Sequence, residues 1–521
     1  MTTALVEALH HRANSHPESV AFLSGQDVWT YQRLKTEVEC LARGLMMRGL
    51  REGDRVALHI TNAAELVVAY YACFRIGVIA APLNTKLKLA ELRPLLERLQ
   101  PALYIGQAEL YRRVAPIDAS IIPSTGRYII GGPVDDPWSQ PWTRLLEDGS
   151  SAEPIEAEPN FDAPAILLTT SGTSGRPKLA IHTQATLAAM VASASHLGLD
   201  GDQVAIIPLP LTHGFGLFTL LASVDVGAPV VLPERFDADA ILDAIERHRC
   251  TWLPAVPAMF AALLECQQAR RRQVRSLQIC LSSGDVCPAR LQEEFGTWFG
   301  TPLRSFWGAT EAAGSLTYGL ESGPVSRIVE GAEVLLIDDS GAPVPRGEIG
   351  ELALRGPNVA IGYWSGPAAI EEVPEDGWFR TGDLMRRGRN DDDLWFVGRK
   401  KDLIIRGGLG ISPAEIERVL AAHPAVRDAA VVGVPDRVLG QRVAGFVQME
   451  RGTRAIILKE ILAGVIALLA DYKIPESLHI IDEIPRTSLG KIDRESLLAL
   501  TSKPQSNDGS RVLQCSHKRD P

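Results

Sequence analysis

The segment from Leu167 to Lys178 reads LLTTSGTSGRPK: an apolar pair, then Thr169, Thr170, Ser171, Gly172, Thr173, Ser174 and Gly175, closed by Lys178. Small residues let backbone N–H groups converge on an anion, hydroxyls add donors, and the lysine adds positive charge. A loop of this kind leaving a strand can cradle phosphate oxygens. It carries neither the Gly-Lys-Ser/Thr of a Walker loop nor a G-x-G-x-x-G fingerprint. A solvent-exposed polar turn is the competing reading of a Ser/Gly run.

Four further segments hold residues that are costly without a ligand. SFWGATEA, Ser305 to Ala312, sets Trp307, Gly308, Thr310 and Glu311 at the end of an apolar strand. GWFRTGDL, Gly377 to Leu384, puts Asp383 after a glycine in a tight turn. GRKKD supplies Arg399 and Asp402, and PRTSLGKIDR, Pro485 to Arg494, places Lys491 on a glycine loop. Singly, each has a plain structural reading: Trp307 as core, Glu311 as a solvated helix start, Asp383 as an Asx turn, Lys491 as a surface cation. Jointly they supply an anion cradle, a carboxylate able to hold Mg2+, a carboxylate suited to a sugar diol, an aromatic face for a base and a mobile cation. Those are the parts needed to hold a nucleoside triphosphate.

The elements that must position these residues read as α/β. Strand-like runs at Arg55 to Ile60, Gly77 to Leu83, Ala165 to Thr170, Gln203 to Pro210 and Ala228 to Pro233 alternate with helical patterns. One such helix spans Asp237 to Cys250, with Asp237 as its N-cap. This rhythm predicts parallel sheets covered by helices on both faces. From about Val325 turn residues recur at short spacing, which predicts a small β subdomain. Near residue 400 a run of charge and glycine precedes a fresh α/β pattern, opening with an N-cap Ser412, Pro413 and Glu415. The expected organisation is a large N-terminal domain over 1–401, a small mobile C-terminal α/β domain over 402–500, and a disordered tail over 501–521.

Length and composition bound the partners. The 521 residues exceed one ordinary core, and 46% hydrophobic with 22% charged residues fits a globular protein. A net charge of -10 gives no basic field for a phosphate backbone, so nucleic acid is not an expected partner. The seven cysteines form no CxxC pair, which argues against a zinc site and suits a reducing compartment. The start MTTALVEALHHR lacks the marks of a secretory signal, and the apolar stretch Leu66 to Leu83 carries Arg75, so it reads as a buried helix running into a strand rather than a transmembrane segment. A cytoplasmic protein is expected.

The five segments, in this order and at these separations, resemble the acyl-adenylate-forming superfamily: acyl- and aryl-CoA synthetases, luciferases and the adenylation domains of peptide synthetases. The resemblance runs from Thr30 to Arg494. It implies that a carboxylate attacks the α-phosphorus of ATP to give an acyl-adenylate and pyrophosphate, and that a thiolate then displaces AMP. It also implies roles. The Thr169 to Lys178 loop embraces pyrophosphate, Thr310 contacts the α-phosphate and Glu311 holds Mg2+. Asp383, helped by Arg399, takes the ribose, and Lys491 bridges the substrate carboxylate and the α-phosphate. Ser283, Gly284 and Trp307 wall the adenine and acyl group, Gly308 is a further cofactor-binding position, and His213 guards the acyl pocket, a buried satisfied histidine being the alternative there. Asp402 matches the hinge about which the small domain turns, bringing Gly407 and Gly408 to the pantetheine arm of CoA.

Several positions depart from the family pattern. Ser174 stands where Thr is more frequent and Trp307 where Tyr is commoner; both changes keep the chemistry. Leu409, Gly410 and Ser412 replace a Glu-Asn and a later Tyr, which bears on contacts to the thiol acceptor. DYKIP, Asp471 to Pro475, favours a stand-alone acid-CoA ligase using ATP, Mg2+ and CoA on a fatty or aromatic acid. The alternative is an adenylating enzyme that loads a separate carrier-protein thiol; a third reading is a non-catalytic nucleotide-binding protein, which would have no need of Lys491. The sequence does not specify an oligomeric state.

Overall fold

The structure is a computed structural model that describes residues 5–156, 158–170, 178–319, 325–367, 369–372, 377–406, 409–436, 438–450, 458–487, 491–501 and 512–514. The predicted loop residues Ser171, Gly172, Thr173, Ser174 and Gly175, and the predicted Gly407 and Gly408, lie outside the described residues.

Buried β-branched and aliphatic runs alternate with amphipathic helices and build two helix-covered sheets. A nine-stranded sheet contains Arg55–His59, Ile79–Pro82, Pro164–Thr170 and Lys178–Thr183. A seven-stranded sheet contains Val20–Ser24, Ala205–Ile206, Val230–Leu232, Trp252–Ala255, Ile279–Ser282 and Leu303–Ser305. Most neighbours in both are parallel, as crossover helices require. In the helix Ala238–His248, Asp237 accepts from the backbone N–H of Ala240 at 3.0 Å, while Ile241, Leu242 and Ile245 face the core.

The apolar stretch is a helix, Ala64–Arg75, followed by the strand Ile79–Pro82. Arg75 is tolerated there because it donates to Glu39 Oε1 at 3.1 Å and to the carbonyl of Ile155 at 2.7 Å. Among the described residues no helix is long and apolar enough to cross a membrane.

From Leu316 to Arg399 the chain forms a six-stranded antiparallel sheet that includes Phe379–Arg387 and Asp393–Arg399. Beyond it a separate C-terminal sheet gathers Ile404–Arg406, Leu409–Ile411, Val426–Asp436, Gly440–Met449 and Ser477–Ile481, packed on the helices Pro413–Ala421 and Leu458–Leu468. The molecule is thus mixed α/β, with a large N-terminal domain of sheets and helices and a smaller C-terminal domain.

Two expectations change. Val512–Gln514, within the stretch read as a disordered tail, forms a strand antiparallel to Ser477–Ile481, because its backbone groups find partners on that sheet's open edge. Ser412 precedes the helix Pro413–Ala421, but its hydroxyl does not cap it; it donates to the carbonyl of Val397 at 2.6 Å and so ties the helix start to the antiparallel sheet.

Candidate active site

The end of the strand Pro164–Thr170 and the start of Lys178–Thr183 pair directly, Thr169 with Leu179 and Thr170 with Lys178, so the loop leaves and returns to a fixed base. The buried Thr169 hydroxyl has no partner among the described residues, which fits a group that receives an anion. Lys178 Nζ stands 4.3 Å from the ring centroid of Tyr363. That tyrosine lies on the neighbouring strand Gly362–Gly366 and donates its hydroxyl to Glu311 Oε1 at 3.1 Å. Lys178 and Glu311, predicted as loop cation and metal carboxylate, are therefore joined through one aromatic ring.

Thr310 and Glu311 lie between the strands Leu303–Ser305 and Leu316–Tyr318, belonging to neither. Their backbone is held from outside. His182 Nε2 donates to the carbonyl of Thr310 at 2.9 Å, and the Ala360 N–H donates to that of Glu311 at 2.8 Å. His213 is the N-cap residue of the helix Gly214–Val226. A Cβ on Gly214 would sit 3.5 Å from the Thr310 side chain, so the helix start abuts that residue. Ser283 is buried while the adjoining Gly284, at φ +88, and Gly308 are exposed. Only glycine adopts that φ without strain, and a Cβ there would meet the Val256 side chain at 3.4 Å.

Asp383 and Arg399 are cross-strand partners in the antiparallel sheet. Arg399 Nε lies 3.3 Å from Asp383 Oδ1, and the Trp307 indole donates to Oδ2 at 2.7 Å. Burial pushes the Asp383 carboxyl above its usual range, opposed by Arg399, the Trp307 N–H and Lys491.

Lys491 comes from the other lobe. The Arg486 and Ile492 backbones bridge and the Thr487 N–H donates to the Lys491 carbonyl at 2.8 Å, so a tight hairpin base presents the side chain. Burial, reinforced by the Arg399 guanidinium and opposed by Asp285 and Asp383, pushes the Lys491 ammonium down to about 8. The same charge is felt at His213, whose imidazole is pushed down to about 4, first by burial and then by Lys491. The structure therefore puts Asp383, Arg399 and Trp307 in contact, and the charge of Lys491 is felt at both Asp383 and His213. Asp402 sits in a short 3-10 turn between the lobes, with Arg494 Nε 3.7 Å from its carboxylate, while the adjacent Lys400 reaches Glu351 at 3.0 Å in the large lobe.

Three contributors escaped the sequence reading: Tyr363, His182 and Asp285. Tyr363 sits in a plain strand and His182 in a run of buried residues, and neither has a spacing that marks it. Asp285 follows Gly284 directly, and its acidity in a glycine turn is a signal that could have found it.

A carboxylate, Glu311, tied through Tyr363 to Lys178, with Lys491 presented from the C-terminal lobe, fits a two-lobed enzyme that acts on a nucleotide. The chain belongs to the AMP-binding enzyme family, whose pattern matches residues 9–364, with the AMP-binding enzyme C-terminal domain matching 415–491. It is 32% identical to an indoleacetate–CoA ligase of Aromatoleum aromaticum, covering 96% of this chain and 98% of the relative. It is 31% identical to a medium-chain fatty-acid–CoA ligase of Escherichia coli, covering 94% and 89%. The solved o-succinylbenzoate CoA synthetase of Bacillus subtilis in complex with its acyl-adenylate superposes with a TM-score of 0.77 at 31% identity, over 94% of this chain and 97% of that one. These relatives are acid–CoA ligases, and this chain is an enzyme of their class.

Proposed function

We propose that the protein is an ATP-dependent carboxylic acid–CoA ligase that forms an acyl-AMP with release of pyrophosphate and then an acyl-CoA with release of AMP. What supports this reading is the contact cluster of Asp383, Arg399 and Trp307 in the large lobe, whose carboxylate feels the ammonium of Lys491 from the small lobe.

A carboxylate and a triphosphate repel each other, so the first step needs positioning and cations where charge develops. In this reading the loop from Thr169 to Lys178 holds the β- and γ-phosphates and Thr310 the α-phosphate. Asp383, oriented by Trp307 and Arg399, takes the ribose hydroxyls, and Ser283, Gly284, Trp307 and Gly308 flank adenine and the acyl group. Lys491 spans the attacking carboxylate and the α-phosphate, a task suited to a compact ammonium with three donors. His213, neutral beside that ammonium, borders the acyl pocket without adding a second positive charge. Mg2+ fits this donor set: Glu311 would hold it together with phosphate oxygens, and when bound it offsets the phosphate charge.

The second step needs Lys491 out of the way of the thiol. Asp402, between lobes 1–401 and 402–500, is the hinge in this reading, and turning there would bring Gly407 and Gly408 toward the pantetheine arm. The relatives that act on indoleacetate and on medium-chain fatty acids support an aromatic or fatty acid as substrate. Buried thiols at Cys73, Cys250, Cys280 and Cys287 support a reducing, cytoplasmic setting.

The test is ATP–pyrophosphate exchange screened across short, medium and long fatty, dicarboxylic and aryl acids, followed by thioester formation with CoA. Acid-dependent exchange and acyl-CoA product are expected. Nucleotide binding with no exchange for any acid would contradict the reading, and thioester formed only on a purified carrier protein would reassign the acceptor.

A further inference from the structure

We infer that His182 is a positioning residue for adenylation, its ring tying the strand that leaves the phosphate loop to the Thr310 carbonyl and thereby fixing the turn that carries Thr310 and Glu311. This deepens the ligase reading and rests on it.

The need for such a tie follows from topology. The phosphate loop is rooted in the nine-stranded sheet, whereas Thr310 follows the last strand of the seven-stranded one and precedes the antiparallel sheet. Ladder hydrogen bonds within each sheet therefore do not set the distance between the groups that would hold the β- and γ-phosphates and the group that would hold the α-phosphate. That distance has to be fixed by cross-links. His182, fully buried in the strand Lys178–Thr183, is one of them: Nε2 is 2.9 Å from the Thr310 carbonyl oxygen and Nδ1 is 3.1 Å from Thr186 Oγ1. A carbonyl oxygen only accepts, so Nε2 carries the proton and Nδ1 faces the hydroxyl, which fixes a single neutral tautomer.

The ring is also wedged. It meets Phe218 edge-on, with centroids 6.0 Å apart and planes at 83°. Phe218 lies in the helix that begins at Gly214, where a Cβ would stand 3.3 Å from the Phe218 ring and 3.5 Å from Thr310. Strand, helix start and turn are thus packed against one another through this imidazole. The neighbouring strand adds the Tyr363 hydroxyl on Glu311 Oε1 at 3.1 Å and the Ala360 N–H on the Glu311 carbonyl at 2.8 Å. Tyr363 restrains a side chain. His182 restrains the backbone on which both Thr310 and Glu311 are mounted, so its loss moves the α-phosphate contact relative to the loop.

Three substitutions separate this role from mere space filling. His182→Gln can place an amide N–H at the level of Nε2, His182→Asn reaches only the level of Nδ1, and His182→Phe fills the volume with no donor. A misplacement of about 1 Å at a reacting centre costs roughly 100-fold in rate. Measured by acid-dependent ATP–pyrophosphate exchange, kcat should therefore fall on the order of 100-fold in His182→Phe and His182→Asn, with KM for the acid moving less than about threefold, and His182→Gln should recover most of the loss. Wild-type kcat in His182→Phe would overturn the inference, as would equal impairment of the Gln and Asn variants. If the Phe variant does not fold, the Gln-against-Asn comparison decides alone. A wild-type protein that exchanges with no acid at all would instead remove the ligase reading beneath it.

Discussion

The indole of Trp307 donates to the carboxylate of Asp383, Nε1 to Oδ2 at 2.7 Å, between residues 76 positions apart in the chain. Arg399 approaches the other oxygen at 3.3 Å. The aromatic side chain that would wall adenine thus also orients the carboxylate that would take the ribose, so under the proposed function base and sugar recognition would be mechanically one unit. The carboxyl is buried at 8% exposure, and burial alone would favour its neutral form. Arg399, the Trp307 N–H and Lys491 oppose that push and favour the acceptor form.

Trp307→Phe retains an aromatic face and removes the donor. A hydrogen bond to a charged group contributes about 1.5–3 kcal/mol, so KM for ATP should rise roughly tenfold or more. The lost donor had favoured the anion, so the acid limb of the ATP dependence should move to higher pH. Steady-state kinetics between mildly acidic and neutral pH check both effects; an unchanged KM with an unmoved limb would contradict the unit.

In the proposed mechanism Lys491 is the cation of adenylation, and its ammonium is pushed down to about 8. The charged form is present below that value and is lost as pH rises through it. The rate of acid-dependent ATP–pyrophosphate exchange should therefore decline on the alkaline side with a midpoint near 8, well below the range of an ordinary lysine. A rate that stays level to pH about 10 would show that no lysine with a lowered pKa takes part.

The lobes are held in this orientation partly by charge. Arg290 reaches the carbonyl of Pro424 at 3.1 Å and Glu450 at 3.3 Å, Arg427 pairs with Glu265, and Arg486 lies 3.5 Å from Asp285. Partly exposed pairs contribute about 0.2–1 kcal/mol each, so single replacements should change little. Replacing Arg290, Arg427 and Arg486 together with Ala should lower the exchange rate on the order of tenfold while sparing thioester formation from a supplied acyl-adenylate. Added salt should move the wild type in the same direction. Equal loss in both half-reactions would contradict a clamp specific to this orientation.

His59 and His182 are fully buried, and burial pushes each imidazole down to about 4 from 6.5. The unfolded chain binds these protons first as pH falls below 6.5, so stability is complete above that value and is lost as pH drops toward 4. The loss should be of order 1–3 kcal/mol for each group. Denaturant unfolding between neutral and acid pH checks it, and His59→Phe should flatten part of the slope if it folds.

The alternation of buried runs with helices, the Asp237 cap and the turn of texture near Val325 were legible because each depends on local pattern. The family resemblance was legible too, since glycine, hydroxyl and carboxylate residues at short spacing leave a mark in the chain. His182, Tyr363 and the inter-lobe charge pairs were not legible. Their roles arise from contacts between distant segments, 128 positions apart for His182 and Thr310 and 52 for Tyr363 and Glu311. Ser412 shows the same limit from the other side. Its cap signature is local and correct as to where the helix begins, but a carbonyl from another strand took its hydroxyl. The edge strand Val512–Gln514 likewise depends on an open sheet edge that its own composition does not reveal.

The claim that matters most is that Lys491 serves the first half-reaction and not the second. Lys491→Ala should abolish acid-dependent ATP–pyrophosphate exchange and leave the conversion of a supplied acyl-adenylate and CoA to acyl-CoA largely intact. Parallel loss of both half-reactions, or full exchange activity in the variant, would contradict it.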